Sequence, residues 1–159
     1  MQLLKYLSLL AFATGGWNAG ICQGDTLRIE LDKVHNILLA ELQVNGQSAY
    51  FLIDTGSGIS LIDQGQADKF GFEVHPEQGK GKIYSLGGTT HFMTTSSLKL
   101  SYRGQRLRRG RLYTTNLSRL HDFKLPRRYT IAGILGADFF RKNQAVLDFG
   151  KGQVLLTKR

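Results

Sequence analysis

Residues 51–58 read Phe51-Leu52-Ile53-Asp54-Thr55-Gly56-Ser57-Gly58. Three apolar residues run into a carboxylate, and the chain then turns on small and polar residues. An ionised carboxylate at the end of a buried strand costs several kcal/mol unless it is paired, hydrogen-bonded or protonated. Asp54 therefore either opens a surface turn or is held in a polar pocket for chemistry.

The segments around it alternate with period two. Leu27-Arg28-Ile29-Glu30-Leu31 does so cleanly. Residues 37–44 and 49–53 are apolar runs on either side of Asn45-Gly46, the strongest short hairpin signal. Asp54 thus ends the second arm of a hairpin. Residues 59–62 read as a short strand, with Asp63 capping a short helix that runs to Phe70 and stops at Gly71. Residues 82–86 and 89–93 flank Gly87-Gly88 as a glycine-tipped hairpin. Leu98, Leu100 and Tyr102 form an arm that turns at Gly104-Gln105 and returns through Leu112-Tyr113. Residues 116–130 are less regular, with room for one helical turn. Residues 131–140 are largely apolar, and residues 145–149 and 153–156 make a last hairpin around Gly150-Lys151-Gly152. The pattern predicts a mostly β domain of short strands with close-set turns.

Length and composition bound the rest. The 159 residues suit one domain with a core of its own. The formal net charge of +9 favours anionic partners and says nothing of the fold. Cys22 is the single cysteine, which excludes an intramolecular disulfide and a cysteine-based metal site. Lys5 is the only charge before Asp25, residues 6–13 are apolar apart from Ser8, and small residues follow. That is the pattern of a secretory signal peptide over residues 1–20, so the domain is expected over 21–159 and the protein is expected to be exported, periplasmic or secreted. Ile21 before Cys22 departs from the small residue that lipid-modified leaders carry there.

Asp-Thr-Gly alone is a weak motif, but here it follows an apolar strand and is answered by Ile134-Leu135-Gly136. Together with Gly87-Gly88, residues 131–140 and residues 145–149, it resembles the retropepsin-like aspartic proteases, closest to the single-domain bacterial type. The resemblance spans residues 25–157. It implies a single-lobed acid protease fold, a closed β-barrel with one or two short helices. It implies an aspartic endopeptidase in which two aspartates activate a water, with Asp54 catalytic and no cofactor. Thr55, Gly56 and Ser57 would support the Asp54 loop: Thr55 by locking two loops together, Ser57 by hydrogen-bonding the outer carboxylate oxygen. Ile134, Leu135 and Gly136 would pack beneath, and Leu86, Gly87 and Gly88 would form a flap over a peptide or protein substrate. One Asp-Thr-Gly supplies one aspartate, so the second must come from a homodimer partner. A catalytically inactive peptide-binding module on the same fold is the alternative.

The remaining polar residues read more plainly. Ser57 has no His or Lys at a spacing that would make it a nucleophile. Asp138 reads as a helix cap and Asp148 as paired on the sheet surface. His35, His75, His91 and His121 are isolated, without metal-ligand spacing. The run from Arg103 to Arg111 holds five arginines, with Arg127-Arg128 beyond. Such a run reads as a solvated hairpin face, or as a weak contact with an anionic membrane or wall surface. Nucleic acid is not expected, because no aromatic residues interleave the arginines for stacking.

Overall fold

The hairpin that carries Asp54 is β2 (Ile37–Val44) and β3 (Gln47–Ile53), antiparallel from Val44↔Gln47 to Leu39↔Leu52. Asn45 and Gly46 both take positive φ at its turn, 49° and 88°, the pair that a two-residue hairpin loop demands. This computed structural model describes residues 26–85, 88–96, 98–108 and 112–157. The expected leader, Cys22, Leu86, Gly87, Arg109 and Arg111 lie outside them.

β1 (Thr26–Val34) divides its pairing. Its first half runs antiparallel to β12 (Gln153–Thr157), its second half to β2. β11 (Val146–Asp148) adds to the outer side of β12. On the other side, β10 (Ile131–Leu135) lies between β3, to which it is parallel, and β4 (Leu61–Asp63), to which it is antiparallel. β9 (Tyr113–Thr115) then joins β4 to the long hairpin of β5 (Val74–Ser85) and β6 (Gly88–Thr95). β7 (Leu100–Tyr102) and β8 (Gln105–Arg106) branch from β2. The strand order begins at β11 and ends at β5. The expected closed barrel is in this respect an open ladder, because no pairing among the described strands joins those two edges.

Two helices are present among the described residues, α1 (Ala67–Phe70) and α2 (Ala137–Lys142), with 3-10 turns at Gln64–Gln66 and Ser118–Asp122. Asp63 caps the first 3-10 turn, and Gly71 ends α1 at φ 63°. Three details depart from the sequence reading. The strand after the Asp54 loop begins at Leu61, not Ile59. Tyr113 does not return against β7; it pairs with β6 and β4, which local alternation does not report. Asp138 lies in the first turn of α2 rather than at its cap, which is Gly136.

Two apolar clusters fill the interior. One joins Ile29, Leu42, Phe51, Ile62, Phe70, Leu135 and Phe139 across the sheet and both helices. The other joins Leu39, Leu52, Leu61, Ile131 and Ile134, with Ile59, Ile83, Phe92 and Tyr113 packed against it. The second cluster therefore ties the long hairpin to the Asp54 region.

At the outer hairpin, the Lys151 backbone N–H donates to Asp148 Oδ1 at 3.0 Å, and the Lys151 ammonium stands 3.8 Å from the same carboxylate. The backbone bond first, with the Gln153 amide and the Lys151 charge, holds the Asp148 carboxyl below the usual range. A depressed folded value stabilises the turn above the unfolded range, and the gain disappears as pH falls through the folded value. Asp148→Asn is expected to lower stability at neutral pH. In urea titrations, the gap from the parent protein should close only once pH has fallen below the ordinary carboxylate range.

Candidate active site

Ile53 pairs with Leu135, and one residue on, the Asp54 backbone N–H donates to the Leu135 carbonyl at 3.1 Å. The start of the loop is thereby hung on the end of β10. The carboxylate is half-buried and does not stand bare: the Gly56 N–H donates to Asp54 Oδ1 at 3.0 Å. The Ser57 N–H donates to the Asp54 carbonyl at 3.1 Å and closes the turn. A Cβ on Gly56 would lie 3.2 Å from Asp54 Oδ1, so glycine gives the backbone its close approach to the acid.

Thr55, Gly56 and Gly58 are exposed, and the Thr55 hydroxyl has no partner among the described residues. Ser57 departs from expectation. Its hydroxyl donates to the Ile59 carbonyl at 2.8 Å instead of to the carboxylate, while its own carbonyl accepts the Ala137 N–H at 2.8 Å. The serine thus shapes the loop's exit and binds it to the start of α2.

Gly136 explains why the second motif must end in glycine. A Cβ there would sit 2.5 Å from the Ile59 carbonyl oxygen and 2.8 Å from that of Ser57. Its N–H donates to Ser60 Oγ at 3.0 Å, and the Ser60 hydroxyl donates to Asp138 Oδ1 at 2.6 Å. Ser60 is 5% exposed, so this relay is a buried polar link between the Asp54 loop and α2. Asp63, 4% exposed, likewise accepts the Leu117 N–H at 3.0 Å besides capping its own turn. The sequence reading missed Ser60. Its one available signal was a hydroxyl inside the apolar run of residues 59–62.

The proposed flap is the β5–β6 hairpin. Gly88 pairs with Ser85 near its tip and has φ 113°. Gly81 lies opposite Phe92, whose ring covers the glycine backbone and leaves no space for a Cβ. Phe92 also meets Tyr113 edge-on at 4.6 Å between ring centroids. This packing anchors the shaft of the hairpin. Tyr84, near the tip, is 78% exposed.

The arrangement brings Asp54, Thr55, Gly56, Ser57, Ile134, Leu135 and Gly136 into one unit. A family model described as aspartyl protease matches residues 40–139, which include both the Asp54 loop and the glycine that packs against it. The chain belongs to the aspartyl protease family. Its fold is similar to that of a retropepsin-like aspartic protease from Rickettsia conorii, at 14% identity over 83% of this chain and 89% of that one, with a TM-score of 0.51. It is also similar to the retroviral protease-like domain of Ddi1 from Leishmania major, at 15% identity over 78% and 90% of the two chains, with a TM-score of 0.52. No curated protein sequence matches it.

Two substitutions test the packing beneath the loop. Gly136→Ala should cost at least about 1–3 kcal/mol, because the atoms it meets are backbone and cannot swing away. Ser60→Ala leaves the Gly136 N–H buried without its partner, at about 1–3 kcal/mol. Both losses are read from urea denaturation. Unchanged midpoints would mean that the loop does not depend on this relay.

Proposed function

We propose that the protein is an aspartic endopeptidase that works as a homodimer, with Asp54 of each protomer meeting across a twofold axis. The observation that carries this reading is the half-buried Asp54 on an otherwise exposed Thr55-Gly56 turn, held by its own backbone, with no second acid bonded to it among the described residues. Two carboxylates at close range cannot both ionise, so the pair shares one proton and titrates as a unit. The ionised member takes a proton from a water, whose oxygen attacks the peptide carbonyl carbon. The protonated member donates to the carbonyl oxygen. Thr55 reaches the partner's loop, and the β5–β6 hairpin closes over an extended peptide. The protein acts after export, with its basic face toward an anionic surface.

The β11 edge supplies the seam. It is a sheet edge that carries Val146 at 60% and Phe149 at 71% exposure, and α2 connects it to the Asp54 loop. A second copy that pairs there buries those side chains and satisfies the edge. The open edge of β5 favours a second reading, a peptide-binding module without catalysis.

Asp54→Asn is expected to abolish cleavage of a peptide library while leaving the dimer and peptide binding intact. If this variant still cuts, or if the parent protein cuts nothing between about pH 3 and 7, the shared-acid reading falls. Val146→Asp with Phe149→Asp is expected to yield a folded, inactive monomer by sedimentation. An active monomer would overturn the two-chain site.

A further inference from the structure

We infer that the groove between the β1–β2 turn and residues 123–125 selects acidic peptides. It seats a large apolar side chain near the bond cut, while Lys124 and Arg127 hold carboxylates on neighbouring residues of the peptide. The inference rests on the reading of the Asp54 loop as the place where a peptide is held. The groove, about 380 Å³, is lined by His35, Asn36, Ile37, Phe123, Lys124 and Leu125. Ile37 and Leu125 pack on the second apolar cluster, and Phe123 is 44% exposed. No carboxylate is among the lining residues, and exposed Lys124 brings an ammonium to the rim. The wall that carries Phe123 is anchored on both sides. Asp63 accepts the Leu117 N–H at 3.0 Å, and Tyr129 meets Tyr50 edge-on at 5.0 Å between ring centroids. A groove with walls held in this way is largely pre-formed.

Strand register sets the groove beside Asp54. The β2–β3 ladder ends at Leu39↔Leu52, and two residues beyond that pair stand Ile37 on one side and Asp54 on the other. Alternation gives both the sheet face of Leu39 and Leu52, against which Leu117, Leu125 and Tyr129 pack. The groove thus opens roughly 5–10 Å from Asp54 at strand spacing. Same-face side chains of an extended peptide recur every ~7 Å, so the one seated here lies within about two residues of the bond cut. The segments around Asp54 carry an excess of cations. Residues 116–130 hold Arg119, Lys124, Arg127 and Arg128 against Asp122, and residues 80–95 hold Lys80 and Lys82 and no acid. Arg119, Lys124 and Arg127 are exposed, and neither ion pair among the described residues involves them. Arg128 instead lies over the Tyr129 ring at 4.7 Å. Asp32 and Glu41 line a separate pocket with Glu30 and Arg103, where Glu41 accepts the Ser48 hydroxyl at 2.6 Å. A field of this sign favours an anionic peptide over a cationic one.

The test is fluorescence anisotropy of labelled peptides on the Asp54→Asn protein. Each peptide has a Leu-Phe centre flanked on both sides by two Glu, two Gln or two Lys. The Glu peptide is expected to bind about fourfold or more tighter than the Gln peptide, at roughly twofold for each exposed charge pair, and the Lys peptide most weakly. Added salt should shrink these differences. Adding Lys124→Glu and Arg127→Glu should abolish the preference for Glu over Gln. The control Lys99→Glu with Arg106→Glu, of equal charge change on β7 and β8, should keep it. Phe123→Ala should weaken all three peptides roughly tenfold by removing apolar contact. Equal binding of the Glu and Gln peptides, or equal loss of preference in the two charge variants, would overturn the assignment. So would a Phe123→Ala protein that loses the dimer by sedimentation yet binds the peptides unchanged, since a second copy would then occupy the groove. Cleavage of the same peptides by the parent protein is scored apart. Selective binding without cleavage sinks the peptidase reading alone, whereas cleavage without selective binding sinks this one alone.

Discussion

The insertion of β10 between β3 and β4 is the constraint on which the rest of the structure depends. The chain leaves β3 at Ile53, turns through Asp54–Ser60 and returns as β4, and a segment some eighty residues further on fills the gap between them. Such an approach leaves no space for side chains at two points. Gly133 faces the Leu61 carbonyl and the Phe51 ring, and Gly136 faces the Ser57 and Ile59 carbonyls. Both glycines stand where a backbone, rather than a side chain, must be the neighbour.

The same insertion shapes the Asp54 loop. Its start is hung on the Leu135 carbonyl, its exit on the Ala137 N–H, and its far side on the Ser60 relay. With both ends tied, the turn presents Thr55 and Gly56 outward and keeps the carboxylate against its own backbone donor. A group held this way is preorganised, since few of its degrees of freedom remain to be ordered when a partner or substrate arrives. The β5–β6 hairpin differs in kind: its shaft is pinned by Phe92 over Gly81, whereas Tyr84 near its end stands in solvent.

Local features were legible wherever the physics is local. The Asn45-Gly46 hairpin, the Gly71 stop of α1 and the β11–β12 hairpin all follow from turn chemistry over a few residues. Tyr113 pairs with β4 and β6 rather than returning against β7, and its own alternation does not identify those strands. The resemblance implies a Ser57 hydroxyl on the carboxylate. The fold offered the nearer Ile59 carbonyl instead. Ser60 is not legible as a site residue, because a lone serine in an apolar run gives no sign that its two partners lie more than seventy residues away.

The sequence by itself determined the mostly β class, the hairpin that ends at Asp54, the pairing of Asp-Thr-Gly with Ile-Leu-Gly, and the excess of positive charge. These are carried by residue type and short spacing. Only the tertiary structure decided that Gly136 lies against the loop, that Ser60 joins it to α2, and that the ladder stays open at β11 and β5. Each of these depends on long-range register, and register is fixed by which faces the core must bury and by where a glycine lets two backbones meet.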